Sequence, residues 1–288
     1  MKRIINVLWV LALAIFVFQA CDKVEEPYSR DNGDHGGGDT TLAVRKVLLE
    51  DYTGHKCVNC PRAGIVAHDL KGQYEEKLVV IAVHAGYFAE PDNDGLYTTD
   101  FTTEMGDALD LEFGISLQGN PNGMVNRVVD GDDQVIGDSQ WPAAVGSELA
   151  KPAVSTIEIS KDYNNGSRVL NTSVTVDFLS DLPGIYRVCV VVTEDSIVAP
   201  QMNSNSAIGP SPDWEDYIHM HVLRGEINGT WGIVITDESI VAGSEYTVDC
   251  DNFNIENDWN DDQCYIVAYV FNQETREIIQ AEELKLIE

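Results

Sequence analysis

Two cysteines, Cys57 and Cys60, stand three residues apart in the stretch HKCVNCPR, with Pro61 directly behind them. A dithiol at this spacing can close into a disulfide, exchange that disulfide with a partner, or supply half of a metal site. Exchange needs a thiolate, and the neighbours decide whether one forms. His55 and Lys56 bring positive charge to Cys57, which lowers a thiol pKa. Pro61 fits the first turn of a helix, where its missing N–H would be unpaired in any case. The cysteines then lie at a helix N-terminus, whose free N–H groups and dipole stabilise negative charge. Cys57, earlier and expected to be the more exposed, is the candidate nucleophile. Cys60, one turn in, is the candidate resolving thiol. An inert local disulfide is the structural alternative. A metal site would want a second C-x-x-C, which the chain does not have, and no cofactor or metal is expected.

The elements around the pair follow from hydrophobic pattern. Val47-Leu48-Leu49, continuing into Glu50-Asp51-Tyr52 and the turn-like Thr53-Gly54, reads as a buried strand entering a loop. From Cys60, Ala63, Val66, Ala67, Leu70 and Tyr74 recur at helical spacing. The unbroken apolar run Leu78–Val83 suits a central parallel strand, and strand, helix, strand in this order is a right-handed βαβ unit. His84 ends that strand on the side of the cysteines; it is expected as a structural histidine with its bonds made, with tuning of the thiols as its other role. Helical signal over 107–113 precedes GISLQGNPNGMVN, where Pro121 before a short strand over 124–129 predicts a tight turn. Asp130-Gly131-Asp132 predicts a hairpin turn, and 139–151 a closing amphipathic segment.

From Pro152 the texture changes to short β-branched and aromatic runs: 154–159, 169–178, 185–193, 217–223, 246–251, 265–271 and 278–286. Seven such runs, several of them separated by turns such as Asn164-Asn165-Gly166, predict an all-β antiparallel sandwich over 152–288. His219 and His221 alternate with Tyr217, which reads as a same-face surface pair. Cys189, Cys250 and Cys264 allow at most one further bridge, with three possible pairings or none. Asp92-Asn93-Asp94-Gly95 lacks the later glycine and the closing glutamate of a calcium loop and reads as solvated.

The N-terminus fixes the compartment. Lys2 and Arg3 followed by apolar residues 4–18 form an export signal, 1–20, a little short for a spanning helix. Cys21 behind it is the candidate lipidation site, and the Gly-rich polar stretch to residue 43 reads as a tether. The chain is expected to cross a membrane and to be held at one through lipid alone, in a compartment where disulfides persist. A net charge of −30 excludes a nucleic-acid partner and a polybasic grip on lipid.

The order of strand, C-x-x-C at a helix start, crossover strand, helix, then FGI and Pro121 before a hairpin resembles the thioredoxin fold over 44–151. That resemblance implies Cys57 as nucleophile, Cys60 as resolving cysteine, Pro121 as the proline facing the pair and Asp51 as the buried carboxylate serving the second thiol. Lys56 stands where a tryptophan is usual, Val58-Asn59 replaces Gly-Pro, and roughly 84–103 is an insertion, so the direction of exchange is not inherited. VLLEDYTGHKCVNCPRA, VVIAVHAGYFA, GNPNGMVNR, HVLRGEINGTWG and CYIVAYVFN together resemble the Omp28-related outer-membrane lipoproteins of the Bacteroidota. This implies a lipid-anchored outer-membrane protein, facing periplasm or medium, with an α/β thioredoxin-like domain followed by an all-β sandwich. Two functions are expected from these residues: thiol–disulfide exchange with protein partners, or a non-catalytic scaffold that binds a partner at the surface.

Overall fold

The computed structural model describes residues 43–129 and 133–288. The export signal, Cys21, the tether up to residue 42 and the Asp130-Gly131-Asp132 turn lie outside them. β1 (Val47–Thr53) and β2 (Leu78–His84) pair in parallel, Val47 opposite Leu78 through Thr53 opposite His84. They are joined by α1 (Cys60–Tyr74), which carries a proline in its first turn. α2 (Glu104–Phe113) is capped by the Thr103 hydroxyl, which accepts from the Gly106 N–H. A single turn of helix, α3 (Ile115–Gln118), then leads through the cis Asn120–Pro121 bond into β3 (Asn122–Val125). β3 runs antiparallel to β1 with Asn122 opposite Tyr52, and α4 (Trp141–Leu149) follows.

The remaining chain is strand: β4 (Ser155–Asn164), β5 (Val169–Phe178), β6 (Tyr186–Glu194), β7 (Ile197–Val198), β8 (Gln201–Met202), β9 (Asp213–Trp214), β10 (Ile218–His219), β11 (Val222–Glu226), β12 (Ile233–Val234), β13 (Glu245–Asn254), β14 (Cys264–Asn272) and β15 (Ile278–Lys285). Six of the seven expected runs are present as strands and the seventh, 217–223, is split between β10 and β11, but they do not build a separate sandwich. β6, β11, β14 and β15 continue the sheet that β1–β3 begin, in the order β15-β14-β6-β11-β2-β1-β3, with β12 also on β6. β4, β5 and β13 form a separate three-stranded sheet, and β7 with β10 and β8 with β9 form two-stranded pairs. The boundary expected at 151–152 therefore does not divide the sheet, and residues 42–288 form one compact unit.

The reason lies in β6 and β14, which are buried along almost their whole length. A strand apolar on both faces needs cover on both. One face, with Val190 and Ala268, packs on the three-stranded sheet through Leu170, Val174 and Val176. The other, with Val191 and Tyr269, shares a core with Leu48, Ile81 and Met105 of the first half. At the β1–β2 end, α1 and α4 cover the face bearing Leu49 and Val80. That face, at the C-terminal ends of β1 and β2, carries the site.

Candidate functional site

Cys57 and Cys60 form a disulfide, with Cys60 at the first position of α1. The loop between β1 and α1 turns back on itself, the Cys57 N–H donating to Gly54 and the Cys60 N–H to Cys57. Against expectation Cys57 is not exposed: it is 2 % accessible, as buried as Cys60. Two segments cover it. The insertion after β2 lies over the loop, where the Lys56 N–H donates to the Phe88 carbonyl at 3.0 Å. Gly54 is required at that crossing, since a Cβ there would sit 2.5 Å from the Phe88 carbonyl. From the far half of the chain, 201–204 runs alongside. The Met202 N–H donates to His55, the Ser204 N–H donates to Val58, and the buried Gln201 amide donates to the carbonyls of Gly54 and Cys57. Tyr97 of the insertion donates to Asp213, tying the two covers together.

The expected electrostatic help to Cys57 is also altered. His55 is buried beside Tyr97 and Phe101, and burial lowers its pKa, so it contributes a neutral ring. Lys56 is paired with Asp92 at 2.9 Å. Asp92 itself lies in the exposed loop expected for 92–95.

The other side of the disulfide opens on a cavity of about 460 Å³. Its walls are α1, the β1–β2 face and residues 214–221, and it is lined by Cys60, Asp51, His84, Tyr217, His219 and Trp214 among others. Cys57 does not line it. Alternation along β1 and β2 explains the array: Asp51 and Thr53 follow Val47 and Leu49 on one face, and His84 follows Val80 and Ala82. Asp51 is buried, its Oδ1 has no hydrogen-bond partner, and desolvation with the nearby Asp138 pushes its pKa up to about 7. Tyr217 reaches over α1 at Gly64, where a Cβ would come 2.9 Å from the phenol oxygen. Burial, then Asp51, pushes its phenol up to about 12.

The histidines depart most from expectation. His84 is 2 % accessible and neither ring nitrogen meets a partner, so it is not the satisfied structural histidine the strand end predicts. His219 is buried too, not on the surface; its Nε2 is unpartnered while the ring bonds backbone at Ala199. The predicted 217–223 strand breaks at His221, whose φ of 57° is left-handed, so the regular alternation expected of His219 and His221 ends there. His221 pairs instead with Asp195 at 3.2 Å. The rings of His84 and His219 lie 5.6 Å apart and both stack on Phe101 at 4.7 and 4.8 Å. Burial drives the pKa of His84 far down and that of His219 to about 4, so both are neutral. Among the described residues no three metal-ligating side chains are grouped to hold an ion.

Pro121, half-buried, stands before β3 at the end of β1 from which the cysteine loop leaves. Cys189, Cys250 and Cys264 are buried unpaired thiols, so none of the possible bridges forms. Sequence reasoning missed Gln201, Phe88 and the buried setting of His219. The Pro-, Asn- and Ser-rich run 200–212 marked a loop, but nothing in it said which loop it would cover.

A family model described as outer membrane protein Omp28 matches residues 107–288, beginning after both cysteines. No curated protein matches the chain. Among solved structures the chain is similar to HBP35 of Porphyromonas gingivalis, at 19% identity and a TM-score of 0.61 over 84% of this chain and 76% of that one. A protein of Agrobacterium tumefaciens is similar at 12% identity and a TM-score of 0.51, covering 84% of this chain and 95% of that one. A domain of the outer membrane lipoprotein Omp28 from Porphyromonas gingivalis aligns at 20% identity over 47% of this chain and 89% of that one, with a TM-score of 0.30. At such identities the first two are likenesses of fold.

Proposed function

The chain belongs to the Omp28 family of outer-membrane proteins, and we propose that it is a lipid-anchored binding protein whose Cys57–Cys60 disulfide holds a site together instead of exchanging. On this reading Cys21 carries the lipid, and the first half is a thioredoxin-like scaffold, supported by the parallel β1–α1–β2 unit, antiparallel β3 and Pro121 beside it. The observation that carries the proposal is the burial of Cys57 beneath Phe88 and 201–204. Exchange requires a thiolate to approach a disulfide sulfur in line, and here the residue that should be attacked is 2 % accessible, in a loop whose backbone is bonded from two sides. The partner is then a ligand or protein met at the cavity or its rim.

One observation favours the second reading, thiol–disulfide exchange with protein thiols. Asp51, pushed up to about 7, faces the same cavity as Cys60, which suits a proton relay to a resolving thiol near neutral pH. In that case a partner thiolate attacks the Cys57 sulfur once 201–204 has lifted, the S–S bond breaks with Cys60 leaving as a thiolate that takes its proton from Asp51, and Pro121 positions the peptide. The two readings separate in cells carrying the full chain with Cys60→Ser. The binding reading predicts no mixed disulfide on non-reducing gels. A defined partner trapped through Cys57 would contradict it and establish exchange.

A further inference from the structure

We infer that the cavity beside Cys60 binds a small organic ammonium ion with an apolar body. The inference rests on the binding reading above and names the chemistry of the ligand. The cavity volume of about 460 Å³ is within the range of small-molecule sites, which are mostly apolar with a few placed polar groups. Ile65, Ala67, Val80, Ala82, Ile218 and Met220 supply the apolar wall.

Asp51 and the histidines bring acceptors to this wall. Asp51 offers a bare carboxyl oxygen, and His219, with its other nitrogen held by backbone at Ala199, offers a bare Nε2. A neutral imidazole that donates from one nitrogen is an acceptor at the other. His84, also neutral, leaves one more lone pair. Four buried polar atoms of cavity residues lack partners, Asp51 Oδ1, His219 Nε2 and both ring nitrogens of His84, and the acceptors among them are costly unless something donates to them. An ammonium group has three donors and no acceptor.

The charge has the same sense. No lysine or arginine lines the cavity among the described residues, while Asp51 and Asp216 do. Trp214 and Tyr217, edge to face at 5.1 Å, offer ring surface of the kind that attracts cations. An anion would meet Asp51 instead, and the chain's net charge of −30 draws cations toward it. Asp51 is faced by Asp138 with its partner Arg62, by Tyr217 across the cavity, and by the neutral His84 and His219. Of these only Arg62 is a cation, and it is already paired with Asp138 at 2.7 Å.

The test is calorimetric titration of the full chain at pH 7 with 2-phenylethylamine, 2-phenylethanol and phenylacetate. The expected result is saturable binding of the amine, at least about tenfold tighter than the alcohol, with no binding of phenylacetate. The cation should depress the Asp51 pKa and release a fraction of a proton, seen as heat that varies with the buffer. Asp51→Asn should remove both the preference for amine and the proton release. Ile65→Trp, at a residue 41 % exposed on the cavity wall, should block binding without touching the interior, and it serves if the Asp51 variant fails to fold. Equal binding of amine and alcohol, both blocked by Ile65→Trp, would overturn the ammonium assignment and leave a binding cavity. No saturable binding of any probe at millimolar concentration would overturn the ammonium inference and the binding reading of the cavity, leaving it to water.

Discussion

Glu50 and Asp51 are neighbours on β1, both buried, and their side chains leave the strand on opposite faces. Glu50 meets Arg127, which donates from Nε at 2.8 Å and from Nη2 at 2.6 Å. That guanidinium lies 5.3 to 5.6 Å from the rings of Phe113, Tyr269 and Phe271. Asp51 meets no cation and leaves Oδ1 bare. A buried charge is therefore not in itself a sign of a site. The paired carboxylate joins β1 to β14, stitching the first half of the chain to the second. The unpaired one keeps its carboxyl partly protonated at neutral pH and borders a cavity.

Substitutions can break each side of this contrast. Arg127→Met strands Glu50 without a partner and should cost about 3–5 kcal/mol in urea unfolding, whereas Glu50→Leu with Arg127→Met should recover much of that loss. Asp51→Asn should act with the opposite sign. The folded pKa of about 7 lies above the ordinary carboxyl value of 3.8, so between these the folded state holds a proton that the unfolded state has lost. Wild-type stability then falls as pH rises from about 4 to 7. The Asn variant should be more stable at pH 8 by up to about 4 kcal/mol and little changed near pH 4. Removing the disulfide with Cys57→Ala and Cys60→Ala closes a much smaller account, about 2 kcal/mol for so short a loop. Gln201→Ala, which deletes the donor to the Gly54 and Cys57 carbonyls, should cost about 1–2 kcal/mol and raise the rate at which dithiothreitol reduces the pair.

Local pattern made β1, α1, β2 and six of the later strands legible, because each carries its own periodicity or unbroken apolar run. What pattern cannot specify is the identity of the cover. Val188–Val192 and Ile266–Phe271 required packing on both faces, and they found it partly on the first half of the chain, so the expected second domain merged into one sheet. The exposure expected around Cys57 failed for a related reason. His55, Lys56 and Cys57 looked like an exposed basic cluster because the segments that bury them lie about 30 and 145 residues further along. The 217–223 run looked continuous because nothing in its composition announces the left-handed backbone at His221. Asp51 was legible as a buried carboxyl through its place in the thioredoxin-like pattern, but its sharing of a cavity with two neutral histidines was not.

The most direct test of the covered-disulfide account is the rate at which dithiothreitol reduces Cys57–Cys60 in the folded full chain, compared with the same chain in denaturant, with alkylated Cys57 counted by mass spectrometry. The account predicts that native reduction is slower by orders of magnitude and tracks opening of 201–204, so that it quickens in the Gln201→Ala variant. Native reduction as fast as that of the unfolded chain, unaffected by Gln201→Ala, would contradict it and make Cys57 a working nucleophile.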